Sequence, residues 1–392
     1  MDPAKTPVAP LHPLRLAGPD HLRALAIILV FFWHYRQHGS PAWVDAIGRF
    51  GWTGVDLFFV LSGYLIGGQL MKKMASGIPI SFSDFYVRRF FRIIPAYLVV
   101  LGLYCTIPAF SERNVIPPVW KFLTFTQNLG LDFTVAGGFS HAWSLCIEEQ
   151  FYLLLPVILM ILVATRSARY GLAVIFTLFI AGFAIRWYSW EHFITPLFTS
   201  GDTDRLGPMY FKWLYYPTWN RIDGLLAGVS VAALYHFRPL LWARITKHGN
   251  ALLLTGLILL TGGYFATREL ISFGAAVFGF PLVSVAYGFI VLAALSPTCV
   301  LYRYPLRISS IIATLAYTIY LTHKQLNHLV RQALAQYQFA DDSVALFLIC
   351  IVVAVIGGIV LHLAVERPFL ILRDRYIGKA KPIRAGKQVG ER

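Results

Sequence analysis

VALFLICIVVAVIGGIVLHLAVE occupies residues 344–366, and no charged side chain interrupts it before Glu366. An α-helix rises 1.5 Å per residue and the hydrocarbon core of a bilayer is roughly 30 Å thick, so about 20 apolar residues suffice to cross it. The stretch therefore reads as a transmembrane helix. The same test, carried outward through the chain, places further helices near 20–37, 51–71, 90–110, 142–164, 171–188, 221–236, 250–267, 272–295 and 309–327. The expected fold is an all-α integral membrane protein of about ten transmembrane helices. Composition agrees: 57% of the 392 residues are hydrophobic and 14% are charged, against about 25% charged in soluble domains.

The first helix is not expected to be a cleavable signal. No small-residue cleavage site follows it, and His34 and Arg36 stand where one would lie. Lys and Arg collect on cytoplasmic flanks of membrane helices. With the N-terminus inside, 23 of the 34 fall on the inner side, so both termini are expected in the cytoplasm. Residues 1–19 then form a cytoplasmic N-terminal segment, 20–367 a single membrane domain, and 368–392 a basic cytoplasmic tail without regular structure. The net charge of +15 lies mainly on one membrane face, where insertion rules and anionic membrane lipids account for it, and no nucleic-acid partner is implied. Cys105, Cys146, Cys299 and Cys350 make neither a disulfide framework nor a metal-type spacing, and no metal site is expected.

Residues 189–220 read as one long exterior loop, containing WYSWEHF just before and within it and FKWLYYPTW. Such aromatic character suits a membrane-interface belt and equally a sugar-stacking surface. No internal repeat and no inverted pair of broken helices is visible, which argues against a secondary transporter.

Ionisable side chains in a bilayer core cost several kcal/mol, so those that persist mark a pathway or a reaction site. His34, Asp56, Glu148, Glu149, Arg221, Asp223 and His323 all fall in the outer half of the membrane on this topology. The cytoplasmic side holds Arg23 at the entry of the first helix, Arg88, Arg89 and Arg92 just before the third, and Glu366 with Arg367 at the end of the last. The arginine triplet suits topology anchoring or a polyphosphate, whose oxygens pair with guanidinium groups. Arg23 and His34 lie eleven residues apart, about three helical turns, and so project from one face roughly 16 Å apart. A phosphorylated carrier gripped at Arg23 could extend its reactive end to His34. Glu148, expected at similar depth, would orient the imidazole as an acid–base partner. On the second helix Gly63 and Gly67 form a GxxxG pair for close helix approach, while Asp56 suits either catalysis or a structural hydrogen bond.

Seven segments, in order, resemble the membrane-bound acyltransferases of family 3: Arg23 and His34 as R-x10-H, GVDLFFVLSGYLI (54–66), RRFFRIIP (88–95), WSLCIEEQFYLLLP (143–156), NRIDGLLAG (220–228), AYTIYLTH (316–323) and VERPF (365–369). The resemblance covers nearly the whole chain. It implies a ten-helix O-acyltransferase of the bacterial cytoplasmic (inner) membrane, which takes an acyl group, usually acetyl, from cytoplasmic acyl-CoA. The acceptor would be a hydroxyl of a carbohydrate or glycolipid: O-antigen of lipopolysaccharide, exopolysaccharide or a glycoside. It further implies that His34 is essential with Glu148 as its partner, that Arg23, Arg88, Arg89 and Arg92 handle the donor, and that Asp56, Glu149, Tyr152, Arg221, Asp223 and His323 form the acceptor site or a supporting polar network. Acyl-CoA would be a substrate, with no permanently bound cofactor. THKQ after AYTIYL lacks the Trp or Pro often found around this histidine in relatives, which weakens the case for His323 alone. Many relatives add an extracytoplasmic hydrolase-like domain, which is not seen in this chain, so the membrane unit is expected to act by itself. The rival expectation is a glycolipid transporter or flippase using the same intramembrane polar residues.

Overall fold

The computed structural model describes residues 17–113, 115–165 and 170–379. Helix makes up 81% of the structure, with no strand among the described residues. Each expected apolar segment lies on a helix: α1 (Ala17–Tyr35), α2 (Thr53–Ala75), α3 (Phe82–Thr106), α4 (Trp143–Ala164), α5 (Gly171–Phe193), α6 (Asp223–Phe237), α7 (Gly249–Ala266), α8 (Phe280–Ala294), α9 (Arg307–Leu334) and α10 (Val344–Leu361). Seven of them, α2–α5, α7, α8 and α10 with their flanking turns, are long and apolar enough to cross a membrane, and α6 is a shorter apolar helix. The chain is an all-α integral membrane protein.

The exceptions are informative. α1 and α9 lie outside that set, yet they pack against each other, and Asp20, Ser309, Thr318, Thr322, His323, Gln325 and Asn327 are buried. Polar groups at membrane depth persist where they face protein rather than lipid. The membrane-length helices differ in how much of them the protein covers: only 11% of the membrane-length window of α5 is buried inside the protein, against 67% for α2 and 72% for α8. α2 and α8 are central; α5 is peripheral.

α2 and α6 approach closely, and glycine makes this possible. A Cβ on Gly63 would lie 2.1 Å from the Leu225 carbonyl oxygen, and one on Gly228 would lie 2.0 Å from that of Val60. Along this seam run two buried ion pairs. Arg221 Nη2 donates to both carboxylate oxygens of Asp56 at 3.0 and 2.9 Å, and Arg186 Nη1 donates to Asp223 Oδ2 at 2.6 Å and to the Asn220 carbonyl at 3.0 Å. The Arg221 guanidinium also sits 4.1 Å from the Phe280 ring centroid and 4.7 Å from that of Tyr215, with Trp52 and Trp143 beyond.

Three expectations are corrected. The arginine triplet lies inside α3 rather than before it, because the helix starts at Phe82, where Ser81 caps it by accepting from the Asp84 N–H. The stretch 189–220 is not an open loop: α5 continues to Phe193, and Thr195–Ser200, Thr203–Tyr210 and the π-turn Phe211–Tyr215 follow. Its aromatics supply the packing, as Phe193 stacks on Trp213 with centroids 4.2 Å apart. Finally, Arg367–Lys379, expected to be unstructured, forms a helix, α11, whose Phe369 and Tyr376 pack on Phe91 of α3. The rest of that basic tail and residues 1–16 of the N-terminal segment lie outside the described residues.

Removing one member of a buried ion pair strands its partner, at a cost of about 3–5 kcal/mol. Arg221→Ala should therefore lower the detergent-solubilised melting temperature sharply, and more than Lys72→Ala on the rim of α2. Equal melting temperatures for the two variants would contradict a structural role for the Asp56–Arg221 pair.

Candidate active site

His34 ends α1, and its Nδ1 lies 3.0 Å from the Val30 carbonyl and 3.0 Å from Nε2 of His323. The hydrogen bonds of His323 settle its tautomer. Its Nδ1 faces the carbonyls of Ile319 and Tyr320, both at 3.0 Å, so it carries the proton and Nε2 holds a lone pair. His34 Nδ1–H then donates to that lone pair, which leaves His34 Nε2 as the basic nitrogen. The partner that orients His34 is thus an imidazole. Glu148, expected in that place, instead accepts from Ser62 Oγ at 2.6 Å and lines a different cavity.

A third imidazole joins the pair. His141 precedes α4, with its ring centroid 5.9 Å from His34 and 5.6 Å from His323. It is buried beside the Leu321 main chain, and neither ring nitrogen makes a hydrogen bond of good geometry. Among the described residues no three His, Cys, Asp or Glu side chains are arranged to hold a metal ion. His34 and His141 open into a cavity of about 320 Å³, termed outer after the expected topology, walled by Trp33, Trp143, Phe211, Tyr215 and Tyr216, with Arg113 and Lys324 also lining it. Lys324 is fixed by Glu112 at 2.8 Å, and Glu112 also accepts from the Tyr104 hydroxyl at 2.7 Å. Burial by itself would raise the Glu112 carboxyl, but the Lys324 charge and these hydrogen bonds outweigh it and hold it below the usual carboxylate range.

Across Tyr320 lies a second cavity of about 180 Å³, termed inner on the same expectation, where Arg23, Arg89, Arg92, Ser62, Glu148 and Tyr152 converge. Arg23 is 3.8 Å from Asp20, Arg89 lies over the Tyr152 ring at 5.5 Å, and Arg89 Nε is buried without a hydrogen-bond partner. This space shares Gln69, Arg89 and Arg92 with a wider cavity of about 530 Å³, to which Lys72, Lys73, Arg88 and Arg373 contribute. Asp84 is the acidic group on that wall.

Tyr320 lines both the inner and the outer cavities. Its hydroxyl meets Ser144 Oγ at 2.7 Å and donates to the His141 carbonyl. Arg23 and His34, read as one helix face, thus open on opposite sides of this tyrosine. Asp56, Glu149, Arg221 and Asp223 line none of the three cavities. The first, third and fourth of these belong to the buried ion pairs, and Glu149 lies beside Glu148 and Arg89 with Oε1 buried and unpartnered. Arg186, His141, Tyr320, Lys324 and Glu112 were not singled out from sequence. Tyr320 lies within the segment AYTIYLTH, three residues before His323, and His141 stands two residues before Trp143, just outside WSLCIEEQFYLLLP.

Residues 16–363 match the profile described as an acyltransferase domain. The chain is 31% identical over 239 residues to the O-acetyltransferase OatA of Staphylococcus aureus, an alignment covering 57% of this chain and 35% of that protein. It is 29% identical over 244 residues to YrhL of Bacillus subtilis, provisionally named a peptidoglycan O-acetyltransferase, covering 58% and 35%. The chain thus spans about a third of the length of these relatives. No solved structure matches it.

Because the folded-state pKa of Glu112 is depressed, its pair with Lys324 contributes stability above the unfolded-state carboxylate pKa, and this is lost as pH falls through the lowered folded-state value. Glu112→Gln should lower the melting temperature at neutral pH and flatten its decline on acidification. A variant whose acid profile overlays the wild type would contradict the assignment.

Proposed function

The chain belongs to the acyltransferase family whose domain profile it matches, and on that premise we propose that it moves an acyl group, acetyl in the simplest case, from cytoplasmic acyl-CoA to a hydroxyl of an envelope carbohydrate. The observation that carries this reading is the pair of chemically opposite cavities meeting at Tyr320. The inner side is cationic and the outer side is aromatic with imidazoles. The guanidinium groups of Arg23, Arg89 and Arg92, with the Lys72, Lys73 and Arg88 rim, suit the phosphates of the donor, and the unpartnered Arg89 Nε supports an anionic occupant. The aromatic walls suit a sugar ring.

In this reading the thioester arm reaches toward Tyr320 while the acceptor hydroxyl lies against His34. His34 Nε2 takes the hydroxyl proton as the oxygen attacks the thioester carbonyl carbon. The new C–O bond forms, the C–S bond breaks, and the proton passes to the departing CoA thiolate, leaving the imidazole neutral. His323 holds the tautomer throughout. Glu148, with Ser62, belongs to the donor side, where its role is to shape the arginine-lined cavity. Ten membrane crossings, both termini in the cytoplasm and residence in the bacterial inner membrane complete the proposal, since the arginine-rich mouth must face the compartment that supplies acyl-CoA.

Removing a general base typically lowers rate about 10²–10⁴-fold. His34→Ala should insert and fold normally and lose base-labile acetyl transfer to that extent, measured with radiolabelled acetyl-CoA in membrane vesicles. Transfer within a few-fold of wild type would sink the mechanism. Arg88→Ala and Arg92→Ala should instead weaken acetyl-CoA binding by calorimetry, whereas an unchanged dissociation constant would return both to topology anchoring.

A further inference from the structure

The acyl-transfer reading uses His34 and His323 and leaves the third imidazole unexplained. His141 is 2% exposed, lines the outer cavity, and lies beside the Leu321 main chain without a hydrogen bond of good geometry from either ring nitrogen. A buried polar group that is poorly satisfied is costly to keep unless something else meets it. Its backbone is also tightly determined. Phe139 adopts a left-handed conformation (φ 55°), unusual for a bulky residue, and is locked among the Tyr97, Tyr104 and Phe122 rings. Gly137 leaves no room for a Cβ, which would fall 2.4 Å from the Phe133 carbonyl oxygen. Backbone strain of this kind persists where surrounding packing over-determines it.

Position indicates what this imidazole meets. Its centroid is 5.9 Å from that of His34 and 5.7 Å from that of Tyr320. One neighbour is the base that activates the acceptor; the other is the wall through which the donor must reach. The carbon under attack has to lie between the two, and His141 flanks that space. Lys324, whose ammonium donates to Ser140 Oγ at 3.3 Å, adds positive charge to the same wall.

We propose that His141 is a further catalytic residue, whose ring N–H donates to the oxyanion that forms on the acyl carbonyl oxygen as the acceptor hydroxyl adds. The inference rests on the acyl-transfer reading. Addition converts the thioester carbonyl into a tetrahedral alkoxide, His141 stabilises that charge without giving up its proton, and collapse expels the CoA thiolate, which takes the proton from His34. A neutral imidazole, with one donor and one acceptor, can do this.

The test uses the full chain in membrane vesicles of the source organism, with [1-14C]acetyl-CoA as probe and alkali-released label in carbohydrate as readout. Loss of an oxyanion donor lowers kcat about 10²–10³-fold, so His141→Ala should show that loss with the KM for acetyl-CoA within about twofold of wild type. His141→Asn, which presents an amide N–H, should recover about tenfold of it. The pH–rate midpoint of His141→Asn should match the wild type, because His34 supplies the titrating base. His141→Ala within threefold of the wild-type kcat would overturn the assignment. So would His141→Asn no more active than a folded His141→Ala, or a change confined to KM. Wild-type vesicles that release no CoA thiol and label no carbohydrate would overturn the acyl-transfer reading itself, whereas active wild type with indifferent His141 variants overturns only this inference.

Discussion

A guanidinium that cannot reach water organises the centre of this protein. Arg221 is 1% exposed, and a charge held at such depth must be matched by a carboxylate or by the negative faces of aromatic rings. The structure uses both: Asp56 of α2 neutralises it, and Trp52, Trp143, Tyr215 and Phe280 enclose it. Because those rings come from the entrance to α2, from α4, from the turn before α6 and from α8, one side chain ties together elements remote in sequence. Arg186 and Asp223 extend the constraint to peripheral α5. Trp143 and Tyr215 then present other faces to the outer cavity, so the shape of the proposed acceptor pocket depends on a residue that never enters it.

The imidazole pair follows from a different accounting. Two main-chain carbonyls of α9 fix the proton on His323 Nδ1, and this fixes the proton on His34 Nδ1 in turn. A carboxylate in the place of His323 would stabilise an imidazolium electrostatically. A neutral imidazole instead orients His34 through its tautomer, with weaker charge stabilisation. That difference suits a base which returns its proton to a leaving thiolate within the same turnover, since holding an imidazolium too strongly would retard its discharge.

Much of this arrangement was legible in the residues. Helix positions followed from apolar length, and the shared face of Arg23 and His34 followed from helical period. Asp56, Arg221 and Asp223 were recognisable as a set because charge in a bilayer demands explanation. Illegible parts were those set by tertiary contact. Glu148 and His34 appeared equal in depth, but α4 turns Glu148 toward Ser62 of α2 and the arginine-lined side, and linear spacing carries no information about rotation between helices. The helix at 367–379 was hidden because its packing partner, Phe91, lies on α3. His141 precedes its helix, where periodicity says nothing, and it gains meaning only from the two imidazoles beside it.

The position of Tyr320 bears on how such an enzyme would avoid wasting its donor. A thioester in contact with an activated water is hydrolysed, so an enzyme facing two aqueous compartments has to keep the reacting carbon from both. Tyr320 is 6% exposed, and its hydroxyl is engaged by Ser144 and by the His141 carbonyl, which seats the ring across the join of the inner and outer cavities. On the proposed mechanism the arginines would gather the donor on the side of the tyrosine away from His34. The proposed base, His34, lies beyond the ring in an aromatic pocket that a sugar would fill and thereby dry. Chemistry would then require both occupants at once, one on each side of the tyrosine, and the separation that the bilayer imposes on the substrates becomes the device that restricts the base to a carbohydrate hydroxyl.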